Sequence, residues 1–181
     1  MPSAFGHALF ASALAASFRA RGAVVAAAIL CAVAPDLDVI AFRFGIPYAS
    51  PFGHRGFTHS LAFAALLGAA ATLVLHALPL AARPAFAPTF VLLALATASH
   101  GALDALTDGG LGVAFLWPLD DARHFFAWRP IAVSPLGVDR FLGARGMEVL
   151  SSELRWLGLP AALLWLVGAW RRRLSETGAP P

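Results

Sequence analysis

The stretch FAPTFVLLALATASHGALDALT, residues 86–107, decides how this chain is read. It carries no ionisable group until His100 and Asp104. At ~1.5 Å per residue a helix of this length covers the ~30 Å of hydrocarbon in a bilayer. Gly109-Gly110 ends it. His100 and Asp104 are four apart, so a helix projects both from one face. The run therefore reads as a spanning helix that delivers an imidazole and a carboxylate together at one end.

Four further apolar segments flank it, at residues 5–18, 22–34, 59–80 and 156–170. Residues 59–80 are also long enough to span. Thr58 is the expected N-cap of that helix, and Pro79 and Pro84 close it. Residues 22–34 end at Pro35, because proline cannot continue a helix and disfavours helical geometry before it. Residues 5–18, 22–34 and 156–170 reach only roughly 20 Å. They read as short or tilted spans, or as a half-buried hairpin. Residues 108–154 read as an interfacial loop with aromatic anchors and room for a short helix. The expected fold is all-α: a polytopic membrane helical bundle of about four to five apolar helices with a metal site at one end. It forms one domain over residues 1–174, followed by a disordered tail at 175–181.

Composition agrees. Of 181 residues, 59% are hydrophobic and 13% are charged, against ~45–50% and ~25% in soluble domains. Mean hydropathy is +0.74. So apolar a chain cannot stay disordered, and it has too little charge to cover a soluble surface. The basic residues are all arginine and the formal charge is +3. No basic stripe with interleaved aromatics is present, so nucleic acid is not an expected partner. A lone Cys31 excludes an internal disulfide. No basic residue precedes Arg19, so residues 5–18 read as mature protein rather than as a secretory signal.

In such a chain, ionisable groups beside spans are functional candidates. His7 opens the first segment. Asp36 and Asp38 close the second. His54, Arg55 and His59 lead into the third, and His100 and Asp104 close the fourth. Consecutive antiparallel helices alternate direction, so all these positions fall at the same end of a bundle. Four histidines and three aspartates offer enough ligands for two metals with water sites left open. Imidazole and carboxylate together suit Zn²⁺, and also Mn²⁺ or Fe²⁺. Each residue has a plainer role as well. His7 fits an interfacial histidine, Asp36 and Asp38 fit turn caps after Pro35, and His100–Asp104 fits a buried hydrogen bond. Arg55 fits a snorkelling arginine or, beside a metal, a ligand for substrate phosphate. His76 lies about 25 Å along its helix from His59 and reads as packing at the opposite interface. His124 is a candidate on the substrate side. Thr107 and Asp108 read as groups behind the ligands or as helix-end groups, and Asp120 and Asp121 as solvated loop acids.

Four blocks carry a resemblance: Gly6-His7-Ala8, Ala34-Pro35-Asp36-Leu37-Asp38, His54-Arg55-Gly56-Phe57-Thr58-His59-Ser60, and Ser99-His100-Gly101-Ala102-Leu103-Asp104-Ala105-Leu106-Thr107. In this order they resemble the YdjM-type inner-membrane proteins, classed as predicted membrane-bound metal-dependent hydrolases. Leu116-Trp117-Pro118-Leu119 is similar to that family's Trp-Pro element. The family is in turn distantly similar to zinc-dependent phospholipase C and its nuclease relatives. Those proteins are all-α, bind a zinc cluster and cleave phosphoesters. The resemblance implies one or two metal ions held among His7, Asp36, Asp38, His54, His59, His100 and Asp104.

The function so implied is a metal-dependent hydrolase that cleaves a phosphoester with a metal-activated water. Asp36 or Asp38 would accept the water proton, and a second ion or Arg55 would neutralise phosphoryl charge. A site at one end of a bundle faces headgroups, which points to a lipid-like phosphoester. The competing reading is a non-enzymatic membrane metal-binding or metal-transport protein; a structural membrane protein, holding no metal, is the third. Arg171-Arg172-Arg173 suggest a cytoplasmic C-terminus. Five spans then place the site on the periplasmic face of the inner membrane.

Overall fold

The computed structural model describes residues 1–80, 83–135 and 137–177. Helix α1 (Ala4–Ser17) is followed by α2 (Ala23–Val33), which runs on as a 3-10 stretch over Ala34–Phe44. A short 3-10 turn at Phe57–His59 leads into α3 (Leu61–Ala77), and α4 is Phe86–Ala105. Beyond lie α5 (Val138–Phe141), α6 (Ala144–Trp156) and α7 (Gly158–Thr177). The described residues form no strand, only isolated bridges at Thr107–Ile131 and Val113–His124. The expected all-α bundle is what the chain forms.

Helix α4 touches α1, α2 and α3, and α1 also packs against α7. The seam between them is made of small residues: Ala11 and Ala15, Ala28 and Ala32, and Ala96 beside Leu92 and Leu93, all buried. Small side chains let backbones approach, which is how helices associate where lipid removes the hydrophobic drive. Gly68 is a point of close α3–α4 approach. A Cβ there would lie 2.7 Å from the Ala94 amide nitrogen. Gly68→Val should therefore cost ~1–3 kcal/mol through overpacking. Thermal unfolding in detergent measures this, and an unchanged midpoint would show slack between the helices.

The outer faces are apolar too. Leu30, Leu66 and Leu166 are each about 65% exposed, so these helices are hydrophobic all round, as suits a lipid environment. Ala23–Phe44 and Phe86–Ala105 are long and apolar enough to cross a membrane. With 14 and 17 residues, α1 and α3 reach ~21 and ~25 Å.

Several expectations change in detail. Pro35 ends the α-helix but not the helical path, because it occupies the first turn of the 3-10 stretch, where a missing N–H costs nothing. The N-cap of α3 is Ser60, whose hydroxyl accepts from Phe63 N at 3.0 Å; Thr58 is used elsewhere. Residues 108–154 are more ordered than a surface loop. Their backbone is tied to the bundle by Leu61 N to Phe115 O, Ala114 N to Arg55 O and Phe126 N to Ala105 O. They also include the 13-residue α6, which turns Gly146, Val149 and Glu153 inward at helical spacing. Helix α7 continues through Thr177. The rest of the tail expected at 175–181 lies outside the described residues.

Candidate metal centre

His7 from α1, Asp36 from the 3-10 stretch, His59, and His100 and Asp104 from α4 meet at one end of the bundle. Asp36, His59, His100 and Asp104 each offer a ligand atom within 4.8 Å of the others. His100 Nε2 lies 3.3 Å from Asp36 Oδ1, and His59 Nε2 lies 3.8 Å from it. Asp104 Oδ2 is 3.5 Å from His59 Nε2, and Asp104 Oδ1 is 3.4 Å from His7 Nε2. Two donors held ~2.1 Å from one ion at the tetrahedral angle sit about 3.4 Å apart. The spacings bracket that value. The His7 ring stacks on His100 with centroids 3.8 Å apart.

The polar atoms here are oversupplied with acceptors. His7 Nδ1 and Nε2, Asp36 Oδ1, Arg55 Nε and both Asp104 carboxylate oxygens are buried without a hydrogen-bond partner, Arg55 Nε and Asp104 Oδ2 facing each other as an ion pair at 2.9 Å. Buried polar groups are normally paired, so the carboxylate oxygens left over suit a cation. The tautomers agree. His100 Nδ1 lies 2.7 Å from the Ala32 carbonyl oxygen, which can only accept. The proton is therefore on Nδ1 and the Nε2 lone pair faces the site. His59 Nδ1 faces Asp38 Oδ2 at 3.3 Å and Thr58 Oγ1 at 3.0 Å, which again leaves Nε2 as an acceptor. The two Nε2 atoms are 3.0 Å apart. Facing lone pairs at that distance repel unless a positive charge stands with them. Imidazoles anchored through Nδ1 to a carbonyl or carboxylate are the usual arrangement of metal-ligating histidines. The residues present therefore fit a divalent ion of the Zn²⁺, Mn²⁺ or Fe²⁺ type.

Without an ion, a proton takes that place. Burial opposes charge on His59, but Asp104 and Asp38 outweigh it and lift its pKa from 6.5 to about 9. A raised folded-state pKa stabilises the protein fully below 6.5, and the gain is lost as pH rises through about 9. Chelated protein should lose thermal stability across that window, and saturating metal should flatten the loss by displacing the proton. A flat profile for the chelated protein would contradict this arrangement.

Asp38 is the hub of an adjoining group. It accepts from Thr58 Oγ1 at 2.6 Å, His54 Nδ1 at 2.7 Å and Arg55 N at 3.3 Å. Asp38, His54 and His59 are also close enough together to hold an ion, and within this group His54 Nδ1 and Asp38 already share a hydrogen bond. Asp38→Asn should weaken metal binding ~10–100-fold, the usual effect of removing an anchor behind a ligand. Competition with a chromophoric chelator reads this out, and unchanged affinity would detach Asp38 from the centre.

Arg55 is fully buried. Its Nε meets Asp104 Oδ2 at 2.9 Å. Nη2 donates to Thr107 Oγ1, and Nη1 donates to the carbonyls of Gly109 and Leu111. The guanidinium is thus turned inward onto the chain rather than toward a substrate. Its backbone is left-handed at φ 64°, held by the bonds from Arg55 N to Asp38 and from Ala114 N to Arg55 O. Gly110, at φ 84°, leaves the space that Arg55 Nη1 fills.

Two supports, Glu153 and Arg123, escaped the sequence reading, and the Trp-Pro element has a packing role. Glu153 of α6 is buried and accepts from the amide and hydroxyl of Ser3, the N-cap of α1. It fixes the helix start that carries His7, and its charge suits a helix N-terminus. Burial raises its pKa, against the Ser3 hydrogen bonds. Arg123 donates to the carbonyls of His54, Tyr48 and Ser50, stitching down the segment before His59. Trp117 packs on Phe57 and Phe52. The available signals were a Val149–Glu153 pair at helical spacing and an arginine beside the Trp-Pro element. His76 is at the far end, on Thr72 O and against Phe86. His124 is exposed and reaches this region only through its backbone pairing with Val113. Asp108 accepts from Val133 N, and Asp120 and Asp121 are exposed.

The family model of the YdjM inner membrane protein matches residues 1–175. Inner membrane protein YbcI of Escherichia coli (strain K12) is 40% identical over 147 residues, covering 81% of this chain and 83% of that protein. No solved structure matches the chain. With the match running through every residue of the His/Asp cluster, the chain belongs to the YdjM family of inner membrane proteins.

Proposed function

We propose that the protein is a metal-dependent hydrolase that cleaves a phosphoester of a membrane lipid at the periplasmic face. The observation that carries this is the pair of carboxylates, Asp36 and Asp104, whose buried oxygens lack hydrogen-bond partners and lie beside the facing Nε2 atoms of His59 and His100. A divalent ion held there by Asp36, His59, His100 and Asp104 would supply Lewis acidity and lower the pKa of a bound water to about 7. Asp36 is the one member of the five whose side chain reaches the surface, at 14% exposure. It accepts the proton of the attacking water. The new O–P bond would form as the bond to the leaving oxygen breaks, and the proton held on Asp36 would pass to the departing alkoxide to give the alcohol. Asp38 orients His54 and His59, and Arg55 holds Asp104; both act by positioning.

The lipid assignment draws on an apolar groove of about 500 Å³ between α2 and α3, lined by Ala27, Ala34, Leu67, Ala71 and Leu78 among others. From Ala23 to Ala34 it follows α2 for ~16 Å, close to the ~15 Å of one leaflet's hydrocarbon. It ends two residues from Asp36. A transport reading fares worse, because a path needs ligands at several depths and here they gather at one end. Support for the periplasmic placement comes from α7. Arg171 and Arg172 bond the carbonyls of Ser17 and Ala16 at the end far from the cluster, and basic residues mark the cytoplasmic side.

The test is release of phosphate or headgroup from a phospholipid panel by metal-loaded protein in nanodiscs. Release should fall to background on chelation and return with metal. If loaded and chelated protein release equal amounts, the hydrolase reading fails.

A further inference from the structure

A second cavity, of about 540 Å³, opens at the opposite end of the bundle, between the α1–α2 turn and the residues leading into α4 from Arg83. Arg19, Arg21 and Arg83 line it from these two separate segments, over apolar surface from Phe18, Leu80 and Leu92. No acid lines the cavity, and none of the three arginines makes an ion pair among the described residues. The turn that presents Arg19 and Arg21 is held in shape. Arg19 and Gly22 are left-handed at φ 60° and 53°, and Arg19 N and Ala20 N bond back to the Ala16 and Ala15 carbonyls.

Position and chemistry narrow the ligand. Helix α2 begins at Ala23 and α4 at Phe86, so the arginines sit where apolar helices leave the hydrocarbon. His100 lies about 20 Å further along α4, so this cavity is separate from the metal centre and independent of the hydrolase reading. Guanidinium forks match phosphate oxygens, and basic residues beside spans attract anionic lipids. A free phosphate ion would satisfy the arginines but leave the apolar surface beneath them uncovered. We propose that this cavity binds the phosphate headgroup of an anionic phospholipid, with Arg19, Arg21 and Arg83 as its ligands and Phe18, Leu80 and Leu92 under its glycerol and acyl portion.

The test compares three full-length proteins in nanodiscs of phosphatidylcholine with phosphatidylglycerol. They are the wild type, an Arg19→Gln/Arg21→Gln/Arg83→Gln variant, and an Arg43→Gln/Arg140→Gln/Arg155→Gln variant that removes the same charge elsewhere. Native mass spectrometry reads which lipid remains bound. The cavity variant should lose the preference for phosphatidylglycerol by about tenfold or more, with the control variant like wild type. Equal loss in both variants, or no preference in the wild type, overturns the proposal. A parallel titration with inorganic phosphate separates the two sources. Phosphate binding that depends on the three arginines, without any lipid preference, overturns the lipid assignment in favour of the free anion.

Discussion

Protein carrying His100→Ala with Asp104→Asn should hold no transition metal after detergent purification, while the wild type retains about one ion or more per chain. The effect should exceed the ~10–100-fold cost of losing an anchor such as Asp38, because two of the donors themselves are gone. His100 Nε2 faces both Asp36 Oδ1 and His59 Nε2, so its removal opens two edges of the cluster at once. Asp104 bridges His7 and His59, and the amide of asparagine keeps its volume while removing the charge. Elemental analysis of matched preparations decides the matter. If the variant retains as much metal as the wild type, the cluster is a hydrogen-bonded polar core and the proposed chemistry has no basis.

Arg55→Met should destabilise the protein by ~3–5 kcal/mol, the penalty for leaving a buried charge without its partner. Asp104 is fully buried and loses its closest cation. The Thr107 hydroxyl and the carbonyls of Gly109 and Leu111 lose their donors in the same step. The loss should be larger in chelated protein, where no ion shares the Asp104 charge. Arg55→Lys should rescue little, because one ammonium cannot cover four acceptors spread around a planar fork. Urea unfolding in micelles, with and without metal, measures both. Wild-type stability in Arg55→Met would show the guanidinium free to serve a substrate instead.

The roles of Arg55 and Thr58 show where sequence reading stops. Both belong to a motif visible in the chain, and motif position gives no direction to a side chain. Thr58 stood where a helix cap is expected, yet Ser60 caps α3 and the Thr58 hydroxyl donates to Asp38. Arg55 fitted a phosphate ligand by type, yet its donors are taken by chain atoms 49 to 56 residues away. Glu153 was hidden for a different reason. Its segment has mixed composition, and its partner Ser3 lies 150 residues away.

What the sequence determined by itself is the apolar helix set and the end of the bundle at which the histidines and aspartates collect. Both rest on local rules: the length of apolar runs, the i, i+4 spacing of His100 and Asp104, and the alternation of antiparallel helices. Only the tertiary structure decided which atoms face one another. It turned His59 and His100 Nε2 toward Asp36 and Asp104, set Asp38 against His59 Nδ1, and closed Arg55 onto Asp104. Those choices depend on the close approach of α4 to its neighbours, as at Gly101, where a Cβ would stand 2.8 Å from the His59 carbonyl. A few tenths of an ångström there separate a cation site from a packed polar core, and helical periodicity contains no information on that scale.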